Sequence, residues 1–206
     1  MRLAPQACAV LLVDLQRAFC EAGGSMARQG RDISAMRSAL CASSKLAERA
    51  RAHAVPVVWT RMMFRPDYAD GGRLIHDLRP NLKAIGALQR GTADVELASD
   101  CGYRDGDPII DKSRYSAVLG TDLADWLAHR GIERAIVGGV TTSMCVDTTV
   151  RDLAQRDIAV FVAREACADF DAARHQAALE AMAFGFARVI GLDQALAALD
   201  AGGLDF

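Results

Sequence analysis

The sequence predicts an α/β fold: a three-layer αβα sandwich around a six-stranded, mainly parallel sheet. Short apolar runs alternate along the chain with longer segments of helical period, which is typical of repeated strand–helix units. The runs are too uniformly hydrophobic for strands with one face in water. Helices are therefore expected on both faces of the sheet, joined to the strands by right-handed crossovers.

The strands are predicted from the apolar runs. The first run, residues 9–13, is wholly aliphatic and ends at Asp14, so it is expected to be a buried strand. The later runs are shorter and fall between helical segments. In chain order, the six strands are expected at residues 7–14, 55–61, 108–111, 134–138, 159–163 and 188–190.

The helices are predicted where apolar residues recur with helical spacing. They are expected at residues 33–53, 119–130, 145–156, 172–185 and 192–199. Residues 62–107 have little regular period and include Gly71, Gly72 and Pro80. We expect this long segment to fold over the edge of the sheet as a lid or to supply contacts between subunits.

Length and composition favour one domain, residues 1–206. Hydrophobic residues make up 51% of the 206 residues, which is enough for one full core but short for two. The 24 basic and 26 acidic residues are interleaved and give a net charge of −2, so nucleic acid is not an expected partner. No apolar stretch approaches the roughly 20 residues that a bilayer crossing requires, so no membrane partner is expected.

Six cysteines are scattered along the chain, at positions 8, 20, 41, 101, 145 and 167. A chain of this size needs no covalent staples, so reduced thiols and a cytoplasmic location are expected. No Cys-x-x-Cys pair or Cys/His cluster at zinc spacing occurs. The sequence therefore predicts neither a metal site nor a cofactor.

Three unlike reactive groups lie near the ends of three predicted strands. Asp14 ends the first strand, Lys112 follows the third, and Cys145 lies a few residues after the fourth. Ligands of open parallel sheets bind outside the carboxyl ends of the strands, so we expect these side chains on one rim. Each also has a plainer interpretation: Asp14 as a helix cap or turn residue, Lys112 as a solvated charge, and Cys145 as a small buried hydrophobe.

Cys145 is the most informative of the three, because two glycines and a polar turn bring it to the expected start of a helix. A free thiol has a pKa of about 8.5, and a helix N-terminus or a nearby lysine lowers that value. The unpaired amides of a first helical turn also stabilise an oxyanion. These features predict a nucleophilic thiolate at Cys145.

Three motifs stand in order along the chain: residues 13–19 (VDLQRAF), residues 112–117 (KSRYSA) with 120–123 (GTDL), and residues 139–146 (GVTTSMCV). Jointly they resemble the isochorismatase-like cysteine hydrolases over nearly the whole chain. That family includes nicotinamidases, N-carbamoylsarcosine amidohydrolases, biuret and ureidoacrylate hydrolases, and isochorismatases. The resemblance implies a Rossmann-like sheet flanked by helices on both faces.

The resemblance also implies the roles of particular residues. Asp14, Lys112 and Cys145 are expected to form a catalytic triad. The Val140–Thr141 peptide bond is expected to be cis, and the amides of Thr141 and Cys145 are expected to form an oxyanion hole.

By this resemblance, the chain is expected to hydrolyse a small amide, ureide or carbamoyl C–N bond through a thioester. Two alternatives stay open. One is an isochorismatase-type hydrolase of a vinyl ether, which needs a proton donor but no thiol, and the retained Cys145 argues against it. The other is a non-catalytic scaffold on the same fold, and a complete triad argues against that.

The substrate is not identified by the motifs. Nicotinamidases resemble one another in an Asp-x-His pair after the second strand, which helps to bind a metal, but here no histidine follows that strand until His76. Neither metal nor nicotinamide is therefore expected, and His76 is expected to be an exposed loop residue. Seven residues near the first three strands are candidates for the wall of a small-molecule pocket: Phe19, Trp59, Arg61, Phe64, Arg65, Tyr68 and Tyr115. The alternative is that the aromatic residues belong to the core and the arginines are solvated.

Two further expectations concern support and assembly. Gln16 and Asp147 are expected either to orient the triad or to cap helices. Because proteins of the resembled family commonly form dimers or tetramers, a homodimer or homotetramer is expected.

Overall fold

A six-stranded sheet forms the centre of the computed structural model, which describes residues 7–201; residues 1–6 and 202–206 of the predicted domain lie outside it. The strands are β1 (Cys8–Val13), β2 (Val57–Met62), β3 (Ile109–Lys112), β4 (Arg134–Val140), β5 (Ala159–Ala168) and β6 (Arg188–Ile190). They are ordered β3-β2-β1-β4-β5-β6, and each strand runs parallel to its neighbours. The predicted α/β class and six-stranded sheet are confirmed, and the sheet is wholly parallel.

The strand order reverses between β1 and β4. From β1 the chain moves through β2 to β3 on one side, and it then returns to β4, β5 and β6 on the other. All six residues of β1 are buried, as expected for the central strand of a covered sheet. Loops leave the carboxyl ends of β1 and β4 in opposite directions, which opens a crevice where ligands bind in such folds.

Helices cover the sheet. They are α1 (Arg17–Cys20), α2 (Ser25–Arg28), α3 (Ser34–Ala52), α4 (Pro80–Ala84), α5 (Leu123–His129), α6 (Asp147–Ala154), α7 (Ala172–Gly185) and α8 (Leu192–Asp200). The long helix α3 contacts α8, β4 and β5, and α6 contacts α7 and β5. Right-handed crossovers in opposite directions from β1 and β4 place α3 and α6 on opposite faces, which produces the three layers.

The β5 strand ends five residues later than predicted. Its exposed Arg164 and Glu165 interrupt the apolar run, so the sequence pattern stops at residue 163. The pairing register with β4 shifts at this point, and the ladder resumes where Cys167 pairs with Gly139. Gly139 has φ +128°, and a Cβ there would lie 2.1 Å from the Val13 carbonyl oxygen, so the close approach of β4 to β1 requires glycine.

Two helix starts also differ from the prediction. Residues 119–122 precede α5 as a turn, in which the Thr121 hydroxyl donates to the Ala117 carbonyl at 2.5 Å. Near the predicted helix 145–156, a π-helical turn at Thr142–Val146, here called the cysteine turn, runs directly into α6. Cys145 is therefore the fourth residue of a turn, three residues after the helical geometry begins.

Residues 62–107 are more ordered than the sequence pattern suggests. They contain helical turns at Leu74–Leu78 and Ala93–Val95 as well as α4. The buried Asp94 carboxylate accepts hydrogen bonds from the backbone N–H groups of Ser25 and Leu88, each at 2.8 Å, and so ties this segment to α2. Within the described residues, none of the helices has both the length and the apolar character needed to cross a membrane.

Candidate active site

Asp14 follows β1 directly and is completely buried at the carboxyl edge of the sheet. Its φ of +53° lies in the left-handed region, which aspartate tolerates better than most residues. The Asp14 N–H donates to the Thr60 hydroxyl oxygen at 3.2 Å, and that hydroxyl donates to Asp14 Oδ1 at 2.5 Å. Thr60 on the neighbouring strand β2 thus fixes both the backbone and the carboxylate of Asp14.

Lys112 is the last residue of β3, whereas the sequence pattern places it directly after that strand. Its Nζ reaches across β2 and donates to Asp14 Oδ2 at 2.6 Å and to the Arg114 carbonyl at 3.2 Å, and both charged side chains are fully buried. Burial alone lowers the pKa of Lys112, but the charges of Asp14 and Cys145 outweigh it and raise that pKa above its ordinary value. Lys112 is therefore a permanent cation beneath the rim.

Cys145 lies against this ion pair. Its Sγ is 3.9 Å from the Met62 sulfur, which is itself 3.8 Å from Lys112 Nζ. Burial raises the pKa of the Cys145 thiol to about 12, while Lys112 opposes the rise and Asp14 adds to it. The predicted lowering of this pKa is wrong, because desolvation outweighs the lysine charge. The resting thiol keeps its proton, and its ionisation requires a base such as the neighbouring Asp14 carboxylate.

The residues expected to form an oxyanion hole lie on the same wall. The Val140–Thr141 peptide bond is cis, as the sequence resemblance implies. Within the turn, the Thr141 carbonyl accepts hydrogen bonds from the N–H groups of Met144 and Val146, each at 3.2 Å. Thr141 and Cys145 both line one cavity, so the structure brings together the two residues whose amides the sequence predicts as donors.

A cavity of about 130 Å³ opens above Cys145 at the crevice between β1 and β4. Its walls come from the segments that follow β1, β3, β4 and β5 and from residues 62–107. The apolar and sulfur-containing lining residues are Phe19, Met26, Met62, Leu74, Leu82, Leu88, Tyr115, Met144 and Phe170. The polar lining residues besides Thr141 and Cys145 are Gln29, Arg31, Arg79, Asn81, Asp169 and Arg174. Part of the segment predicted as a lid or subunit contact therefore walls the cavity.

Of the aromatic residues predicted for the pocket, Phe19 and Tyr115 line the cavity. Trp59 does not: it is buried in the core, and its indole N–H donates to Asp107 at 2.9 Å. Phe64 is also fully buried, with its ring 5.8 Å from that of Tyr68. These aromatic residues beside β2 belong to the core, which is the commoner position for such side chains.

The two predicted arginines lie elsewhere as well. Arg61 pairs with Asp111 on β3 at 2.8 Å, and Arg65 lies 3.5 Å from Asp67 with most of its side chain in solvent. The arginines at the cavity are instead Arg31, Arg79 and Arg174. Arg31 and Arg79 lie in loops and Arg174 lies in α7. The hydrophobic pattern of these segments does not indicate which of their polar residues face a site.

The cavity arginines make it positively charged. Arg174 Nε donates to Asp169, the one carboxylate among the described lining residues, at 3.2 Å. Arg31 lies over the ring of Phe170, 5.8 Å from its centroid. Arg79 is close enough to Tyr115 to act on its pKa, although burial of the phenol raises that pKa overall. Arg31 and Arg79 thus both border the cavity.

The remaining predicted residues have supporting or surface positions. Gln16 is fully buried, and its side chain bonds to both the N–H and the carbonyl of Met62, at 2.8 and 2.9 Å. It therefore fixes the methionine that touches Lys112 and Cys145. Asp147 pairs with Arg151 one turn along α6. His76 is exposed, and within residues 7–201 no three His, Cys, Asp or Glu side chains are grouped to share a metal ion.

Comparisons with known proteins agree with this geometry. The isochorismatase domain family matches residues 8–194. The ureidoacrylate amidohydrolase RutB of Klebsiella pneumoniae (strain 342) is 28% identical over 163 residues, which cover 74% of this chain and 69% of that protein. The RutB protein of Agrobacterium fabrum (strain C58 / ATCC 33970) is 29% identical over 161 residues, covering 73% and 71%.

Solved structures have the same fold. A cysteine hydrolase from Pseudomonas syringae pv. phaseolicola 1448A superposes with a TM-score of 0.88 and 30% identity, covering 98% of this chain and 96% of that one. N-carbamoylsarcosine amidase from Thermoplasma acidophilum superposes with a TM-score of 0.71 over 90% of this chain and 96% of that one; at 21% identity it supports the fold alone.

Proposed function

The chain belongs to the isochorismatase family, and from this premise we propose that it is a cysteine-dependent hydrolase of a small amide, ureide or carbamoyl C–N bond. The observation that carries the proposal is the position of Cys145, beside the buried Asp14–Lys112 pair and on the wall of a cavity. Burying two charges is costly even when they are paired, so such a pair is weak support for a purely structural role. The Asp14–Lys112 pair instead suits a proton transfer at the Cys145 thiol.

The first chemical step is attack by the thiol. As Cys145 Sγ approaches the substrate carbonyl carbon, Asp14 accepts the thiol proton, and Lys112 stabilises the resulting negative charge on sulfur. The amides of Thr141 and Cys145 donate to the oxyanion of the tetrahedral intermediate. Positioned proton transfer contributes about 10²–10⁴ in rate, and one oxyanion donor contributes about 10²–10³.

The second step breaks the C–N bond and releases the acyl group. Asp14 returns its proton to the leaving nitrogen, so ammonia or an amine departs and a thioester remains on Cys145. Water then attacks the thioester, with Asp14 accepting a proton from it. The tetrahedral intermediate then breaks its C–S bond and releases the acid product, and Asp14 returns the proton to the Cys145 sulfur, so the thiol and the free carboxylate are restored.

Within this substrate class, the charge of the cavity favours acids. Arg31 and Arg79 border it, while the Asp169 carboxylate is already paired with Arg174. A guanidinium binds a carboxylate through charge-assisted hydrogen bonds, which are roughly twice as strong as neutral ones. We therefore propose a ureido or carbamoyl acid whose carboxylate lies away from the scissile bond. The name of one similar protein, ureidoacrylate amidohydrolase, supports this class.

Ammonia release from a panel of small amides, ureides and carbamoyl amino acids tests the reaction. We expect release that survives chelation and falls by about 10⁴-fold or more in Cys145→Ala, because the nucleophile is removed. Cys167→Ala is the matched control, since it removes an equally buried thiol away from the ion pair and should keep activity. Full activity in Cys145→Ala contradicts the proposal, whereas no release from any compound by the native protein favours the vinyl-ether or the non-catalytic alternative.

Pairs of compounds that differ only in the carboxylate test the substrate class. N-carbamoyl-β-alanine and N-propylurea have the same length, but only the first has an acid group. We expect Arg79→Gln to raise KM for the acid by about tenfold or more and to leave the neutral compound unchanged. Arg73→Gln is the control, because Arg73 is exposed and pairs with Asp77. An equal effect on both compounds contradicts carboxylate binding by Arg79.

The proposal extends to location and assembly. All six cysteines are unpaired, as is usual for proteins of the reducing cytoplasm. A homodimer or homotetramer is proposed from the family resemblance, and light scattering of the purified protein tests it.

A further inference from the structure

The carboxylate of Asp169 lies directly behind the turn that carries Cys145. Asp169 follows β5, and its side chain is only 1% exposed. Its Oδ2 accepts hydrogen bonds from both the N–H and the hydroxyl of Ser143, at 3.0 and 2.5 Å. Resting on the proposed function, we propose that Asp169 is a positioning residue, which holds the cysteine turn so that the Thr141 and Cys145 amides stay directed at the oxyanion.

The second carboxylate oxygen anchors Asp169 to the opposite side. Its Oδ1 accepts from the Phe170 N–H at 2.8 Å and from Arg174 Nε at 3.2 Å. A buried carboxylate needs such donors, because an unpaired charge in the interior is strongly destabilising. With four donors on two oxygens, Asp169 links Ser143 rigidly to the corner between β5 and α7.

A second contact joins the preceding residue of the turn, Thr142, to α7. The Thr142 hydroxyl lies 2.8 Å from Nδ1 of His175. Burial lowers the pKa of His175, although the Asp169 charge opposes this, so a neutral imidazole is favoured near pH 7. Two consecutive residues of the cysteine turn are thus held by the segment from Asp169 to His175. These three hydrogen bonds end on Thr142 and Ser143, so they act on the geometry of the turn.

This support matters because one oxyanion donor, Cys145, lies in a turn of only five residues and the other, Thr141, directly precedes that turn. Removing one donor from such a hole lowers kcat by about 10²–10³-fold. A small displacement of a donor weakens the same hydrogen bond and lowers kcat by a smaller factor. The register shift in β5 is what brings Asp169 to this place, since the strand continues to Ala168. A strand ending at residue 163, as the apolar run predicts, leaves Asp169 in a loop without a defined position.

Asp169→Asn is the informative variant, because it keeps the size of the side chain but replaces one acceptor oxygen with an NH₂ donor. That NH₂ must face either the two donors of Ser143 or those of Phe170 and Arg174. With the best substrate of the panel, we expect kcat to fall about 10²-fold while KM changes less than about threefold. Ser143→Ala removes only the hydroxyl contact and should lower kcat by about tenfold.

Asp171→Asn is the matched control. Asp171 caps α7 by accepting from the Arg174 N–H at 2.7 Å, and its described contacts do not include the cysteine turn. We expect this variant to lower the thermal midpoint with kcat unchanged. Alkylation of Cys145 by iodoacetamide passes through no oxyanion, so its rate should change less than about threefold in Asp169→Asn while kcat falls.

The outcomes separate the two proposals. An unchanged kcat in both Asp169→Asn and Ser143→Ala overturns the positioning role while leaving the hydrolase intact. A raised KM at constant kcat also overturns it, because Asp169 then contacts the substrate directly. A loss of kcat matched by an equal loss of alkylation shows general displacement of Cys145 and overturns the oxyanion role. No release by the native protein from any compound overturns both proposals, since no oxyanion then needs to be held.

Discussion

Cys145 and Cys167 are two buried thiols on neighbouring parts of the sheet, one just after β4 and the other near the end of β5. They are 4% and 5% exposed, and burial raises the pKa of each thiol to about 12. Their surroundings differ. Cys145 faces Asp14 and Lys112 and lines the cavity, whereas the Cys167 sulfur lies 4.0 Å from the Val137 carbonyl between two strands.

The difference shows that burial by itself does not distinguish a nucleophile from a core residue. Desolvation makes both thiols weak acids to a similar extent. What separates them is a base and a cation beside one sulfur, and an opening through which a substrate can reach it. If the ion pair and the cavity account for the difference, changes at either should alter the behaviour of Cys145 and not that of Cys167.

Breaking the ion pair should have the largest effect. Asp14→Asn leaves Lys112 as a buried cation without its counter-charge, so we expect activity to fall about 10²–10⁴-fold and the free energy of unfolding to fall by about 3–5 kcal/mol. The double variant Asp14→Asn/Lys112→Met should regain most of that stability but no activity. Urea unfolding and ammonia release measure the two effects.

The more exposed pair between Arg61 on β2 and Asp111 on β3 is the control. These side chains are 19% and 39% exposed, so Asp111→Asn should cost less than about 1 kcal/mol. If Asp14→Asn is as mild as Asp111→Asn, then Lys112 does not depend on Asp14 for its charge. That result removes the proposed basis for the special character of Cys145.

The rate of alkylation by iodoacetamide should differ between the two thiols, with a smaller effect than that of breaking the ion pair. We expect Cys145 to react at least about tenfold faster than Cys167, because the cavity admits the reagent while Cys167 must wait for local opening. Lys112→Met should slow labelling of Cys145, because Lys112 opposes the rise in the pKa of that thiol, and should leave the exposed Cys41 unchanged. Mass spectrometry of timed samples gives the rates, and equal rates for Cys145 and Cys167 contradict the comparison.

Alkaline pH should affect the two thiols alike. The pKa of each is raised from 9.0 to about 12 by folding, so each contributes stability that is complete below pH 9 and is lost as the pH rises toward 12. In this window, one such thiol lowers the free energy of unfolding by about 1.4 kcal/mol per pH unit. Cys145→Ala and Cys167→Ala should reduce this slope equally in urea unfolding between pH 8 and 10.5, although only the first abolishes activity.

A change of slope of opposite sign in Cys145→Ala, with Cys167→Ala as expected, points to a different balance at the site. It means that Lys112 lowers the pKa of Cys145 more than burial raises it. In that case the thiolate is already present at rest, as the sequence alone predicts.

The sheet and the meeting of Asp14, Lys112 and Cys145 at its edge could be predicted because their signals are local. A strand buried on both faces, such as β1, must be apolar throughout, so its length is visible in the sequence. A polar residue that ends such a run lies at the carboxyl edge, and parallel strands bring these edges together. That is why Asp14, Lys112 and Cys145 could be expected to meet, and the structure places them together.

The cavity walls could not be predicted in the same way. Arg31 and Arg79 reach it from segments whose paths are set by contacts made elsewhere, such as those of Asp94 with Ser25 and Leu88. Asp169 reaches the cysteine turn only because the ladder between β4 and β5 shifts register and resumes. Loop paths and register shifts depend on distant partners, and residue periodicity carries no record of them.

The acidity of Cys145 shows the same division most clearly. The sequence by itself determined which groups surround the thiol: a lysine, an aspartate and the amides of a helical turn. Only the tertiary structure decided how deeply they are buried, and with that the direction of the pKa shift. Charges nearby are a property of sequence order and strand direction, whereas desolvation depends on every layer of the fold that excludes water from the site.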